Sequence, residues 1–175
     1  ALDDLVWHTR IGDPGNIGSI DISPTAFLVS DCGEIYMSGW GGSTNNSSPF
    51  IFSSGTNGMP TTDDAFQTGT NDGDFWLGVM NPGGTELSYA TFFGGGESAE
   101  HVDGGTSRFD KDGTVYQAMC AGCGGNSDMP TTPGAWISTR SVPFTLPETW
   151  PITTIVFSVT SPLTTPFAPT VSGLL

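Results

Sequence analysis

Basic residues are nearly missing from this sequence: four Lys and Arg stand against 18 Asp and Glu in 175 residues, a formal net charge of −14. Phosphates would be repelled by such a chain, which argues against nucleic acid and against anionic membrane surfaces as partners. Long apolar runs are missing as well. None reaches the roughly 18 residues that a spanning helix needs, so membrane insertion is not expected. The first residues show no basic stretch ahead of an apolar core, and any export signal is expected to lie outside them. Cysteine is scarce: Cys120 and Cys123 form a Cys-x-x-Cys, and Cys32 is left over.

Catalytic signatures are equally sparse. There is no Gly-x-Ser-x-Gly elbow, no His-Glu-x-x-His and no phosphate-cradling Gly loop followed by Lys. What the sequence does contain is Gly, at 25 positions, Pro at 13, and aromatic rings at 11% of residues. Gly and Pro at this level disfavour long helices and suit turns, while the rings supply apolar area for a core. The composition predicts an all-β fold rich in loops. The acidic balance suits an exported, solvent-facing protein, or one that binds hard cations such as Ca²⁺ through carboxylates.

Self-similarity is the strongest signal. Met59-Pro60-Thr61-Thr62 recurs as Met129-Pro130-Thr131-Thr132, and both copies lead to Ala and an aromatic residue. Upstream, Leu28 to Tyr36 aligns with Arg108 to Tyr116, and Leu5 to Gly12 aligns with Leu87 to Gly94. Three blocks recurring in order mark a repeat architecture. Inside one unit, Ala26 to Ser30 and Glu34 to Ser38 flank Asp31-Cys32-Gly33 as a hairpin. Phe75 to Met80 and Glu86 to Phe93 flank Asn81-Pro82-Gly83-Gly84 in the same manner. Four strands in two hairpins, repeated in tandem, have the pattern of β-propeller blades.

The ordered motifs resemble SBBP-type β-propeller repeats: Asp-x-Gly-x-x-Tyr, a Gly-rich stretch, Pro-Thr-Thr-x-x-Ala-(aromatic), Asp-x-Phe, Asn-Pro-x-Gly, then Ser-Tyr-x-Thr-x-(aromatic)-Gly-Gly. The wording of Glu100 to Gly105 and Cys120 to Gly125 is similar to large secreted surface proteins of Bacteroidota. The likeness covers roughly residues 5 to 138. It implies tandem four-stranded antiparallel blades, about two of them in an incomplete ring, in a secreted or cell-surface protein. Residues 1–140 form the repeat region, with one blade at 20–94 and a partial blade at 98–138. Residues Leu5 to Ile11 read as the last strand of a preceding blade. Since two blades cannot close a ring, faces and edges normally buried are expected to meet water. Self-association, or further blades of a parent chain, would cover them.

Residues 141–175 leave the pattern, with one Gly, one charge (Glu148) and six prolines. Where another Asp-x-Phe strand is due, 152–159 offers a strand by β-propensity only, followed by a Pro/Thr-rich tail. A linker is one reading. A strand offered to a neighbouring sheet edge is the other.

Candidate chemistry concentrates in the acidic loops. Asp110-Lys111-Asp112-Gly113 resembles the opening of a calcium loop, although the twelfth position falls on Ala121 and hairpin-turn chemistry explains the same residues. Asn71-Asp72-Gly73-Asp74 offers two carboxylates and an amide ahead of a strand. In Glu100-His101-Val102-Asp103, an extended backbone would point His101 and Asp103 the same way, so that a carboxylate could orient an imidazole as a general base. A packing role for His101, and a turn role for Asp103, are the alternatives. The candidate set is therefore His101, Asp103 and Glu100 for catalysis, and Asp72, Asp74, Asp103, Asp110 and Asp112 for a metal, with Ca²⁺ the cofactor. Cys-x-x-Cys reads most simply as a short disulfide in an exported protein. His8 is expected to pack. Of the five tryptophans, Trp40 beside glycines is the one expected to be most exposed.

Two functions follow. One is a repeat module of a large exported bacterial surface protein, acting in adhesion or as scaffold, with surface glycan among its ligand classes. The other is a Ca²⁺-dependent hydrolase of lactones or esters, by analogy with propeller enzymes that hold the ion in a central tunnel.

Overall fold

The computed structural model describes residues 4–15, 20–41, 55–102, 107–109, 114–121, 128–133, 152–158 and 170–172. Among them there is no helix. The fold is all-β, and the described residues form nine strands in two antiparallel sheets that do not close on one another.

The first sheet is a meander of β1 (Ser23–Val29), β2 (Ile35–Trp40), β3 (Phe75–Met80) and β4 (Leu87–Phe93), in that spatial order. Both hairpins form where turn chemistry places them. At the first, Ser30 N–H donates to Glu34 and Gly33 N–H to Ser30, with Gly33 at φ 82°. A side chain there would be strained in the left-handed region, so Gly terminates the turn. Cys32 at the tip is exposed and free. At the second, Gly84 N–H donates to Asn81 O (2.9 Å), and the Asn81 side chain accepts from Thr85 N–H. Pro24 is tolerated because β1 is an edge strand, and a bulge follows it.

Strict alternation gives this sheet two apolar faces. Leu28, Tyr36, Phe75, Leu77, Val79, Tyr89 and Phe93 share one face. Met37, Trp76, Ala90 and Phe92 lie on the other. Phe75 and Trp76 are completely buried, each worth about 1.5–3 kcal/mol in transfer free energy.

The second sheet repeats the design. Leu28 lies opposite Tyr36 in the first sheet, and Arg108 opposite Tyr116 in the second. The outer strand of the second sheet is split into β5 (Glu100–His101) and β6 (Ser107–Phe109), both paired to β7 (Thr114–Ala121). β8 (Ile152–Ser158) lies on the other side of β7, with Tyr116 opposite Val156 just as Tyr36 is opposite Val79. β9 (Thr170–Ser172) pairs with β8. The off-pattern C-terminal segment thus stands in the third and fourth strand positions of the second sheet.

Two expectations change. Residues Leu5 to Ile11 form no strand, and Leu5 and Val6 are exposed. A strand needs a neighbour to pair with, and among the described residues no strand pairs with this segment. His8 accordingly is exposed instead of packed. The free edge of β4 is also covered, by the loop carrying Met-Pro-Thr-Thr. Thr62 N–H donates to Ala90 O, Ala90 N–H to the Thr62 hydroxyl, and Phe92 N–H to Gln67 O. Trp76 anchors this loop by donating Nε1–H to Pro60 O at 2.9 Å. The repeated motif therefore plays a structural part, hiding the sheet edge from further strand pairing.

Candidate functional site: a buried carboxyl pair between the sheets

Where the first sheet meets the second, three short segments converge: the turn before β3, the Gly-rich loop after β4, and the start of β5. Asn71 organises the turn. Its Oδ1 accepts from Gly73 N–H (2.8 Å), and its Nδ2 donates to Gly95 O and Ser98 O (3.1 and 2.7 Å). Glu100 N–H donates to Gly73 O at 2.9 Å, tying β5 to the same turn.

This clamp brings Asp74 and Glu100 together with almost no exposure, 0% and 1%. Each carboxyl has one oxygen engaged: Asp74 Oδ2 accepts from Gln67 Nε2 (2.9 Å), and Glu100 Oε1 accepts from the Ser98 hydroxyl. The other two, Asp74 Oδ1 and Glu100 Oε2, are buried without a protein donor. Both crowd the Cα of Gly94, where a Cβ would collide with the two carboxyls at once. Gly94 itself is held by its N–H to Gln67 Oε1 at 3.2 Å.

Two full negative charges about 4 Å apart repel by about 4 kcal/mol even at an effective dielectric constant of about 20. Burial pushes the Glu100 carboxyl up to about 7, the hydrogen bond from Ser98 opposes this, and the nearby Asp74 charge adds to it. Burial likewise raises Asp74, against hydrogen bonds from Thr70, Asn71 and Gln67. A single proton shared by the two carboxyls would remove this repulsion.

Other residues singled out in the sequence stand apart from this pair. Asp72 is exposed at φ 75° and takes a turn role: its Oδ1 accepts from Asn57 N–H and its carbonyl from Thr56 N–H. His101, 8% exposed, lies against the Trp40 indole with ring centroids 5.6 Å apart. Trp40 is therefore half-buried, and Trp7, at 45%, is the tryptophan exposed beside the first sheet. Asp103, Asp110, Asp112 and Cys123 lie outside the described residues, as does the Cys120 side chain.

Sequence reasoning did not single out Asp128. It precedes the second Met-Pro-Thr-Thr and accepts from Ser98 N–H (3.0 Å) and Glu97 N–H (2.9 Å), pinning the Gly-rich loop from the far side. Burial opposes its charge, but these donors outweigh it and hold the carboxyl below its ordinary value. The Asp-Met-Pro spacing was the available signal.

Among the described residues no three His, Cys, Asp or Glu side chains come together as a metal-binding group. The pair offers two unengaged oxygens, against the six to eight that Ca²⁺ takes. The described residues do not fit a calcium centre. What the arrangement does chemically is raise the proton affinity of two carboxyls buried at a sheet-to-sheet junction. No family model, curated protein or solved structure matches the chain.

Proposed function

We propose that this chain is a repeat module of a secreted or surface-exposed protein, of the SBBP-type its motifs resemble, serving adhesion or scaffolding. One observation carries the reading: two of the candidate site carboxyls, Asp74 and Glu100, are buried in the joint between two sheets of equal register. Buried there, they are spent on stacking one unit upon the next. Asp128, Asn71 and Gln67 support the same joint by hydrogen bonds. An acidic, Gly-rich repeat of this kind suits an exported array whose units each cover a neighbour.

The hydrolase alternative needs Asp72 and Asp74 to share an ion with Asp103 and needs His101 to reach water. Asp72 and Asp74 are turned to different partners, and His101 lies against Trp40. The test is a panel of lactones and esters, assayed with and without EDTA. The module reading expects no turnover. Chelator-sensitive turnover that His101→Ala abolishes would replace it with the enzyme.

A further inference from the structure

The contact between the end of one unit and the Met-Pro-Thr-Thr loop of the next occurs twice among the described residues. Continuing the alignment of Leu5–Gly12 with Leu87–Gly94, Asp13 matches Gly95 and Gly15 matches Glu97. Gly58 and Asp128 stand immediately before the two Met-Pro-Thr-Thr copies. In both places the matched residues meet: Asp13 lies against Gly58, and Gly95 against Asp128. Gly12 is crowded by the Asp21 carboxyl as Gly94 is by that of Glu100, so the two junctions share their layout.

What differs is the side that supplies the carboxyl. At the second junction Asp128 reaches across, and its Oδ2 accepts from Glu97 N–H at 2.9 Å. At the first, the matching amide is that of Gly15, and it donates at 2.7 Å to Asp13 Oδ1 within the loop itself. Each junction thus places one carboxyl on the same loop amide and sets a glycine opposite it. Space requires the glycine. A Cβ at Gly58 would stand 2.6 Å from the Asp13 Cβ, and one at Gly95 would run into the Asp128 carboxyl. Exchanging partners breaks the match in both directions. A loop with Asp at this position, seated on a unit with Asp, puts two carboxylates where one fits. A loop with Gly, seated on a unit with Gly, leaves the amide without its acceptor.

We propose that this exchanged Asp–Gly pair is a matching device that fixes which unit follows which. The seat at Gly58 takes a loop that brings its own carboxylate, and the seat at Asp128 takes one that brings glycine. A like-charge clash in one mismatch and a lost hydrogen bond in the other tell closely related partners apart. The device rests on the module reading, and it adds the rule by which the units of that module are ordered.

The test is a double-substitution cycle in the whole chain, read by hydrogen exchange at the backbone amide of position 13. That amide donates to Asp21 Oδ2 at 2.8 Å and is kept in every variant, so its protection reports how firmly the loop is seated. Asp13→Gly removes the acceptor of Gly15 N–H, and Gly58→Asp sets a second carboxylate against Asp13. Each is expected to lower protection about threefold or more. Together they reproduce the arrangement of the second junction, and the pair is expected to recover most of the loss. Gly58 lies at φ 93°, and Asp72 at φ 75° shows that this chain holds an aspartate in that region. Asp13→Gly with Gly58→Ala carries the backbone strain without the carboxyl and should be less protected than the Asp pair. Effects that simply add, or an Ala pair as protected as the Asp pair, overturn the device. Should Gly58→Asp alone fail to fold, the pair decides: a seated loop supports the device and an unfolded chain overturns it. Additive effects beside a silent ester panel would leave the module reading standing, so the two fail separately.

Discussion

Replacing Glu100 by Gln tests the shared proton without disturbing shape. The Gln carbonyl keeps the acceptor for the Ser98 hydroxyl, and its amide N–H points to Asp74 Oδ1 as a shared proton would. Burial pushes the folded Glu100 carboxyl up to about 7, against its ordinary 4.5. A raised folded value means stabilisation that is complete below the unfolded value and is lost as pH climbs through the folded one. Wild-type stability should therefore fall between about pH 4.5 and pH 8, by up to about 3 kcal/mol for one proton. For a chain of this size that corresponds to a melting shift of roughly 5–10 °C. The Gln variant cannot lose this proton, so it should be flat across the window and the more stable protein at pH 8. Urea titrations at several pH values, read by the fluorescence of buried Trp76, measure both curves. Since global repulsion from −14 charges affects both proteins, their difference isolates the pair. Parallel wild-type and variant curves would refute the shared proton.

Other perturbations act on the same joint. Gly94→Ala places a methyl against both carboxyls and should cost about 2 kcal/mol or more, visible as a lower urea midpoint. Met129→Ala removes a core residue linking the second unit to the first sheet and should cost about 2–4 kcal/mol in the same titration. Asp128→Ala leaves the Glu97 and Ser98 amides without their acceptor, for a loss of about 1 kcal/mol. That loss should shrink in acid, because a depressed carboxyl contributes above its unfolded value and stops contributing as pH falls through the folded one.

Much of the fold was legible because its determinants are local. Asp31-Cys32-Gly33 and Asn81 to Gly84 specify hairpins by turn chemistry, and the spacing of Tyr36 and Tyr116 carried the common register. The role of Ile152–Ser158 was not fixed by sequence. Its β-propensity is plain, but it carries no repeat motif, and its place beside β7 depends on a pairing between segments far apart in sequence. The carboxyl pair was hidden for a related reason. Asp74 and Glu100 were each noticed in separate motifs as open-site chemistry, yet only the stacking of two sheets brings them face to face and removes water. Leu5 to Ile11 has the residues of a strand, but a strand needs a neighbour to pair with.

The joint and the module reading both depend on two sheets built to one plan, with Ile152–Ser158 and Thr170–Ser172 completing the second. Cross-strand backbone contacts measured by nuclear magnetic resonance test this most directly, since paired antiparallel residues lie within about 4.5–5.5 Å of each other. Tyr36 should show contacts to Leu28 and Val79, and Tyr116 the matching contacts to Arg108 and Val156. Tyr116 contacts in a different register, or no contact to Val156, would contradict the account.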